Sequence, residues 1–121
     1  MYCVKVLYPN KAGSSFNLKH YLDVHVPLGL GLLKKHCRTS ARKIEVDVNP
    51  YGLTPQAHVP YHAIFSAYFD RKSDAAAFQQ LFSIDEVVRE LMADWPNYTE
   101  ADPEIMISEV VEVDPFSFES H

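Results

Sequence analysis

Cysteine and glycine are both scarce in this 121-residue chain, with two and four copies respectively. Cys3 and Cys37 stand far apart and form no C-x-x-C, which excludes a disulfide-rich scaffold and a thiolate zinc site. Because the chain shows no export signal, both are expected to be reduced, buried and inert. No Walker loop, G-x-G-x-x-G or G-x-S-x-G is present, so a phosphate cradle and a serine-hydrolase elbow have no support. Positive charge is also in deficit, with 11 Lys and Arg against 16 Asp and Glu. The densest basic stretch runs from Lys34 and Lys35 through Arg38 to Arg42 and Lys43 without interleaved aromatics. It has the makings of a solvated helix end and loop, and no nucleic-acid partner is expected. No apolar run approaches the roughly 20 residues that span a bilayer. Lys5 and Tyr8-Pro9-Asn10-Lys11 interrupt any secretory core, so a cytoplasmic protein without a membrane partner is expected.

What remains is ordinary globular material: 47% hydrophobic and 22% charged residues, enough for one domain over 1–121. Tyr2 to Tyr8 alternates as a strand, stopped by Pro9-Asn10 and Gly13. Asn17 has the character of an N-cap, and Leu18, Tyr21, Leu22 and His25 follow at helical spacing. Pro27 predicts a kink or restart, with a second helical piece to about His36. Ile44, Val46 and Val48 form a second strand with one wet face. The segment 49–60 carries four of the prolines and glycines that break regular structure, and it is expected to be a mobile loop bordering a pocket mouth. Tyr61 to Phe69 is a strand apolar on both faces, and Ser73 opens the next helix. Ser83-Ile84-Asp85-Glu86 reads as a capping box with a possible staple between Phe82 and Val87. Val87, Val88, Leu91, Met92 and Trp95 follow as an inward stripe, and a last strand covers about Glu104 to Val113.

The order β-α-β-β-α-β is the ferredoxin-like, α+β arrangement: two helices on one face of a four-stranded antiparallel sheet. The other face keeps apolar positions that a chain of this size leaves wet at a cost. A homodimer closed sheet to sheet, a dimeric α+β barrel, covers them.

Six histidines raise the question of a metal. His58 and His62 would point the same way on a strand but lie about 13 Å apart. His20 and His25 diverge by about 140° around an α-helix, and His25 and His36 are about 16 Å apart by helical rise. With no H-E-x-x-H and no facial-triad spacing, no metal is expected. His25 shares a helical face with Tyr21 and Leu22, which aims an ionisable ring at the sheet. It could cap a carbonyl freed by the break at Pro27, or serve as a pocket acid or base; spacing alone leaves both open. Tyr8, Tyr21, Tyr68 and Tyr98 fall near element ends, where a phenol either reaches water or holds a ligand oxygen.

Val6-Leu7-Tyr8-Pro9-Asn10, Gly13, Phe16, Tyr21 and His25-Val26-Pro27-Leu28 resemble the opening of the EthD-like family, the ethyl tert-butyl ether degradation proteins. Pro96-Asn97-Tyr98-Thr99, Pro103 and Ile107-Ser108-Glu109-Val110 resemble its closing motif. The resemblance spans nearly the whole chain, and one departure is Met106, where members often carry glutamine. It implies a ferredoxin-like homodimer of the dimeric α+β barrel superfamily, with a pocket between helices and sheet in each subunit. It also implies that His25 is the family's H-x-P histidine, which favours the pocket role. Members accompany oxidative degradation or act on polyketide-like phenolics, and superfamily relatives include cyclases, isomerases and heme-independent monooxygenases. The function this resemblance implies is therefore an enzyme needing no cofactor, carrying out a cyclase, isomerase or oxidoreductase-associated step on a small apolar, cyclic, phenolic or polyketide-like compound in a degradation or secondary-metabolite pathway. His25 would be the catalytic group, and Tyr8, Tyr21, His62, Tyr98 and Met106 the substrate contacts. The alternatives are a non-catalytic accessory that carries a hydrophobic intermediate for an oxygenase, and a purely structural dimer module.

Overall fold

The computed structural model describes residues 1–11, 14–37 and 41–118. The turn expected at Gly13 and the basic contribution of Arg38 lie outside them. In chain order come β1 (Tyr2–Pro9), α1 (Leu18–His20), a π-helical turn (Tyr21–His25), α2 (Val26–Cys37), β2 (Lys43–Asp47) and β3 (Tyr61–Phe69). Then follow α3 (Lys72–Gln80), a 3₁₀ turn (Leu81–Ser83), α4 (Asp85–Asp94), a second 3₁₀ turn (Trp95–Asn97), β4 (Glu104–Glu109) and a final 3₁₀ turn (Pro115–Phe118). The strands form one sheet in the order β2-β3-β1-β4, with all three pairings antiparallel. This is the α+β, ferredoxin-like arrangement expected from the sequence.

Strand periodicity sorts the sheet into two faces. Val4 pairs opposite Ala67 and Ile107, and Val6 opposite Phe65 and Ile105, so these side chains share the face under the helices. There they meet Leu32, Leu33, Ala75, Phe78, Leu81 and Val87 in the core. The alternate positions, Cys3, Lys5 and Leu7 with Ile64, Ser66, Met106 and Ser108, share the other face. That face mixes apolar with polar groups, including the Lys5 Nζ–Ser66 Oγ bond of 3.1 Å. Both cysteines are free thiols.

Two local expectations are corrected, and a third is met: the helix restarts beside Pro27, with α2 beginning at Val26 directly after the π turn. Proline has no N–H to give the carbonyl four residues back, and the chain adjusts one turn earlier: the Val26 N–H bonds to the Tyr21 carbonyl, five residues back, and α2 runs through Pro27. The capping box is not formed, because Ser83 Oγ donates to the Gln80 carbonyl at 2.7 Å and α4 starts at Asp85 without a side-chain cap. β4 ends at Glu109, where its pairing with β1 runs out at Tyr2, so Val111 and Val113 stay exposed.

Candidate functional site

Asn17 caps α1 as expected, its Oδ1 accepting from the His20 N–H at 3.1 Å. The same residue's N–H donates to the Tyr98 carbonyl at 2.8 Å, and Phe16 bridges to Thr99. These ties dock the start of the first helical segment against the chain just after α4. Asp94, the last residue of α4, thereby lies opposite the π turn.

Asp94 is the residue that sequence reasoning missed. Its Oδ2 meets His25 Nδ1 at 3.0 Å and its Oδ1 meets His20 Nε2 at 2.7 Å, while Asn97 Nδ2 donates to Oδ1 at 3.2 Å. The 140° divergence expected for His20 and His25 does not keep them apart, since both rings reach Asp94 across a π turn that closes its hydrogen bonds one residue later than an α turn. The only advance signal was the pairing of a proline with two upstream histidines. His25 thus does not cap a broken carbonyl: its partner is a carboxylate 69 residues on.

Burial pushes Asp94 up, but the hydrogen bonds from His20, Asn97 and His25 outweigh it and hold the carboxyl below its ordinary range. An ionised carboxylate only accepts, so His25 must carry its proton on Nδ1. Nε2 is left as the free lone pair of a ring that lines a cavity. Desolvation lowers the pKa of His25 against the upward pull of Asp94, which favours the neutral ring.

The cavity holds about 240 Å³ between the helical layer and the sheet. Its walls include Val6, Phe65, Phe78, Leu81, Val87 and Leu91, and no Lys, Arg, Asp or Glu lines it among the described residues. Polar groups gather at one end, where Tyr8, Tyr21 and Tyr98 join His25. The ring of Tyr98 lies 4.5 Å from that of His25, and the Tyr8 ring packs edge-on to Tyr21 and Tyr98 at 4.9 and 5.7 Å. Burial pushes all three phenols well above their ordinary range, so each remains a donor. Met92, 56% exposed, and Ile105 are apolar residues that both line the cavity and reach solvent, which marks its mouth.

Two candidate contacts are corrected. Met106 pairs with Lys5 and lies on the sheet face away from the cavity, because a strand alternates and Ile105 takes the inward position. His62 is likewise outside it: its Nε2 meets Ser14 Oγ at 3.0 Å, its ring stacks on Phe16, and it borders a second hollow. Asn49, Pro50 and the 57–59 segment line that second hollow too, so the 49–60 loop does not border the mouth of the His25 cavity.

A model of the EthD domain matches residues 15–102, which include His25, Asp94 and Tyr98. The chain belongs to the EthD family. Among solved structures, an EthD-like protein from Ralstonia eutropha JMP134 is 25% identical, with 94% of this chain and 95% of that one covered at a TM-score of 0.71. An EthD family protein from Bacillus halodurans C-125 is 19% identical, covering 92% and 99% at 0.56. A protein from Arabidopsis thaliana, 12% identical, covers 93% and 97% at 0.56 and shares the fold. No curated protein matches the sequence significantly.

Proposed function

We propose that this EthD protein moves a proton on a small, uncharged, largely apolar cyclic or phenolic compound, with His25 as the base. The observation that carries this reading is the bond from His25 Nδ1 to Asp94 Oδ2, made at the one polar end of an apolar cavity. An engineered apolar cavity of about 150 Å³ takes up benzene, so 240 Å³ suits one substituted ring or a compact bicycle. With no cation in the lining, an anionic or phosphorylated substrate has nothing to compensate its desolvation.

In the reaction, Nε2 removes a proton from a carbon next to a carbonyl, and the C–H electron pair moves into the carbonyl to give an enolate. Tyr98 donates a hydrogen bond to the developing oxyanion, with Tyr21 and Tyr8 behind it. The imidazolium, steadied by Asp94, then returns the proton at another carbon or to the oxygen of a newly formed alcohol. The first outcome is an isomerisation, the second an aldol-type cyclisation, and neither needs an outside oxidant. The near-absence of polar wall also suits simple carriage of an apolar intermediate, the second reading. The deciding experiment is deuterium exchange from D₂O into carbonyl compounds and phenolics that shift the melting temperature. Exchange lost in His25→Gln supports the enzyme. Binding without exchange in the wild type supports the carrier.

A further inference from the structure

We propose that His20 is a positioning residue for His25, acting through the carboxylate they share. The idea rests on reading His25 as the proton-transferring group, but its test needs no substrate. One carboxylate faces two imidazoles, each on its own oxygen, and a single negative charge cannot neutralise two imidazolium ions. Asp94 and His25 side chains are each 12% exposed, whereas His20 is 25% exposed and makes the shorter contact, 2.7 against 3.0 Å. His20 and the Asn97 amide together occupy Oδ1, which leaves Oδ2 as the oxygen that orients His25.

Whenever His20 carries a proton, its charge offsets that of Asp94 and opposes a second proton on His25. Burial lowers His25 most, Asp94 pulls the other way, and the field of His20 adds to the lowering. Among the described residues, the remaining groups that touch the pair add no competing charge. Tyr98 lies against both rings, Tyr21 stacks on His25, Tyr8 lies behind them, and burial keeps all three phenols protonated. Lys19 and Asp23, on the same helical segment, pair with each other at 2.8 Å. A charge on His20 would therefore add to the burial that favours the neutral form of His25.

The test is an NMR titration of the His25 imidazole in the full chain. His20→Gln should raise its midpoint, and Asp94→Asn should lower it. With Asp94→Asn already in place, adding His20→Gln should have a much smaller effect. His20→Lys, which restores a cation against Asp94, should bring the midpoint back to or below the wild-type value. An unchanged or lowered midpoint in His20→Gln would overturn the proposal. So would an equal shift with and without Asp94, or a His20→Lys protein that titrates like His20→Gln. Failure here leaves the deuterium-exchange result for His25→Gln untouched, so the two ideas fail separately.

Discussion

At the scale of single residues, the proposed chemistry rests on His25, Asp94 and Tyr98. His25→Gln should lower turnover by about 10²–10⁴-fold, the usual share of a general base. Glutamine can still donate to Asp94, so stability should change by no more than about 1 kcal/mol. Paired turnover and melting measurements check this, and a strongly destabilised variant with full activity would refute it. Tyr98→Phe removes the proposed oxyanion donor but keeps the ring, so it should cost mainly kcat with KM little changed. The pH dependence follows from the two depressed groups. His25 binds a proton less readily folded than unfolded, so stability declines as pH falls below the ordinary imidazole value of 6.5 and levels off under its lowered folded value. Asp94 contributes stability above its ordinary value of 3.8 and loses it as pH falls through its lower folded value. Urea melts of wild type and Asp94→Asn across pH should therefore converge in strong acid. His25 and Tyr98 were legible as candidates because their spacing and motifs sit in short segments. Asp94 was not, because an aspartate at a helix end has no local mark of a distant partner.

At the scale of elements, α2 carries two glycines that pay a helix-propensity penalty for no visible backbone reason. A methyl group at Gly29 or at Gly31 would meet nothing within 4 Å. Alanine at either position should stabilise the fold by about 0.5–1 kcal/mol. Gly29 lines the cavity, so Gly29→Ala should also weaken binding of the bulkier ligands, whereas Gly31→Ala should not. Thermal melts plus ligand titration separate the two, and equal ligand affinity in both variants would show that Gly29 is not there to leave room. Periodicity found the strands and helices because alternation and the 3.6-residue repeat are local. It missed the π turn, since the widened turn depends on how the chain accommodates Pro27 while its flanks are docked. It also gave Ser83 to α4, although that hydroxyl found a nearer carbonyl.

At the scale of the whole molecule, the sheet buries one face under helices and presents the other, with Leu7, Ile64 and Met106 set among Lys5 and Ser66. A chain of 121 residues gains from covering such a face, and a symmetric pair does so with a single self-complementary patch. Light scattering at micromolar concentration should give twice the 13.8 kDa chain mass. Met106→Lys should shift the population toward monomer without touching the cavity, since that side chain lies on the far face. A stable 13.8 kDa species in the wild type would rule the pair out.

The sequence by itself determined the ferredoxin-like order of elements, the family, and two of the segments that line the candidate site. Each of these depends on residues close together in the chain, where propensity, period and motif act directly. Only the tertiary structure decided which candidates share a cavity. Strand register turned Met106 outward and His62 toward a second hollow, and the docking of residues 16 and 17 onto 98 and 99 brought Asp94 to the two histidines. Those outcomes depend on which atoms meet across tens of residues of chain, and no local pattern encodes that.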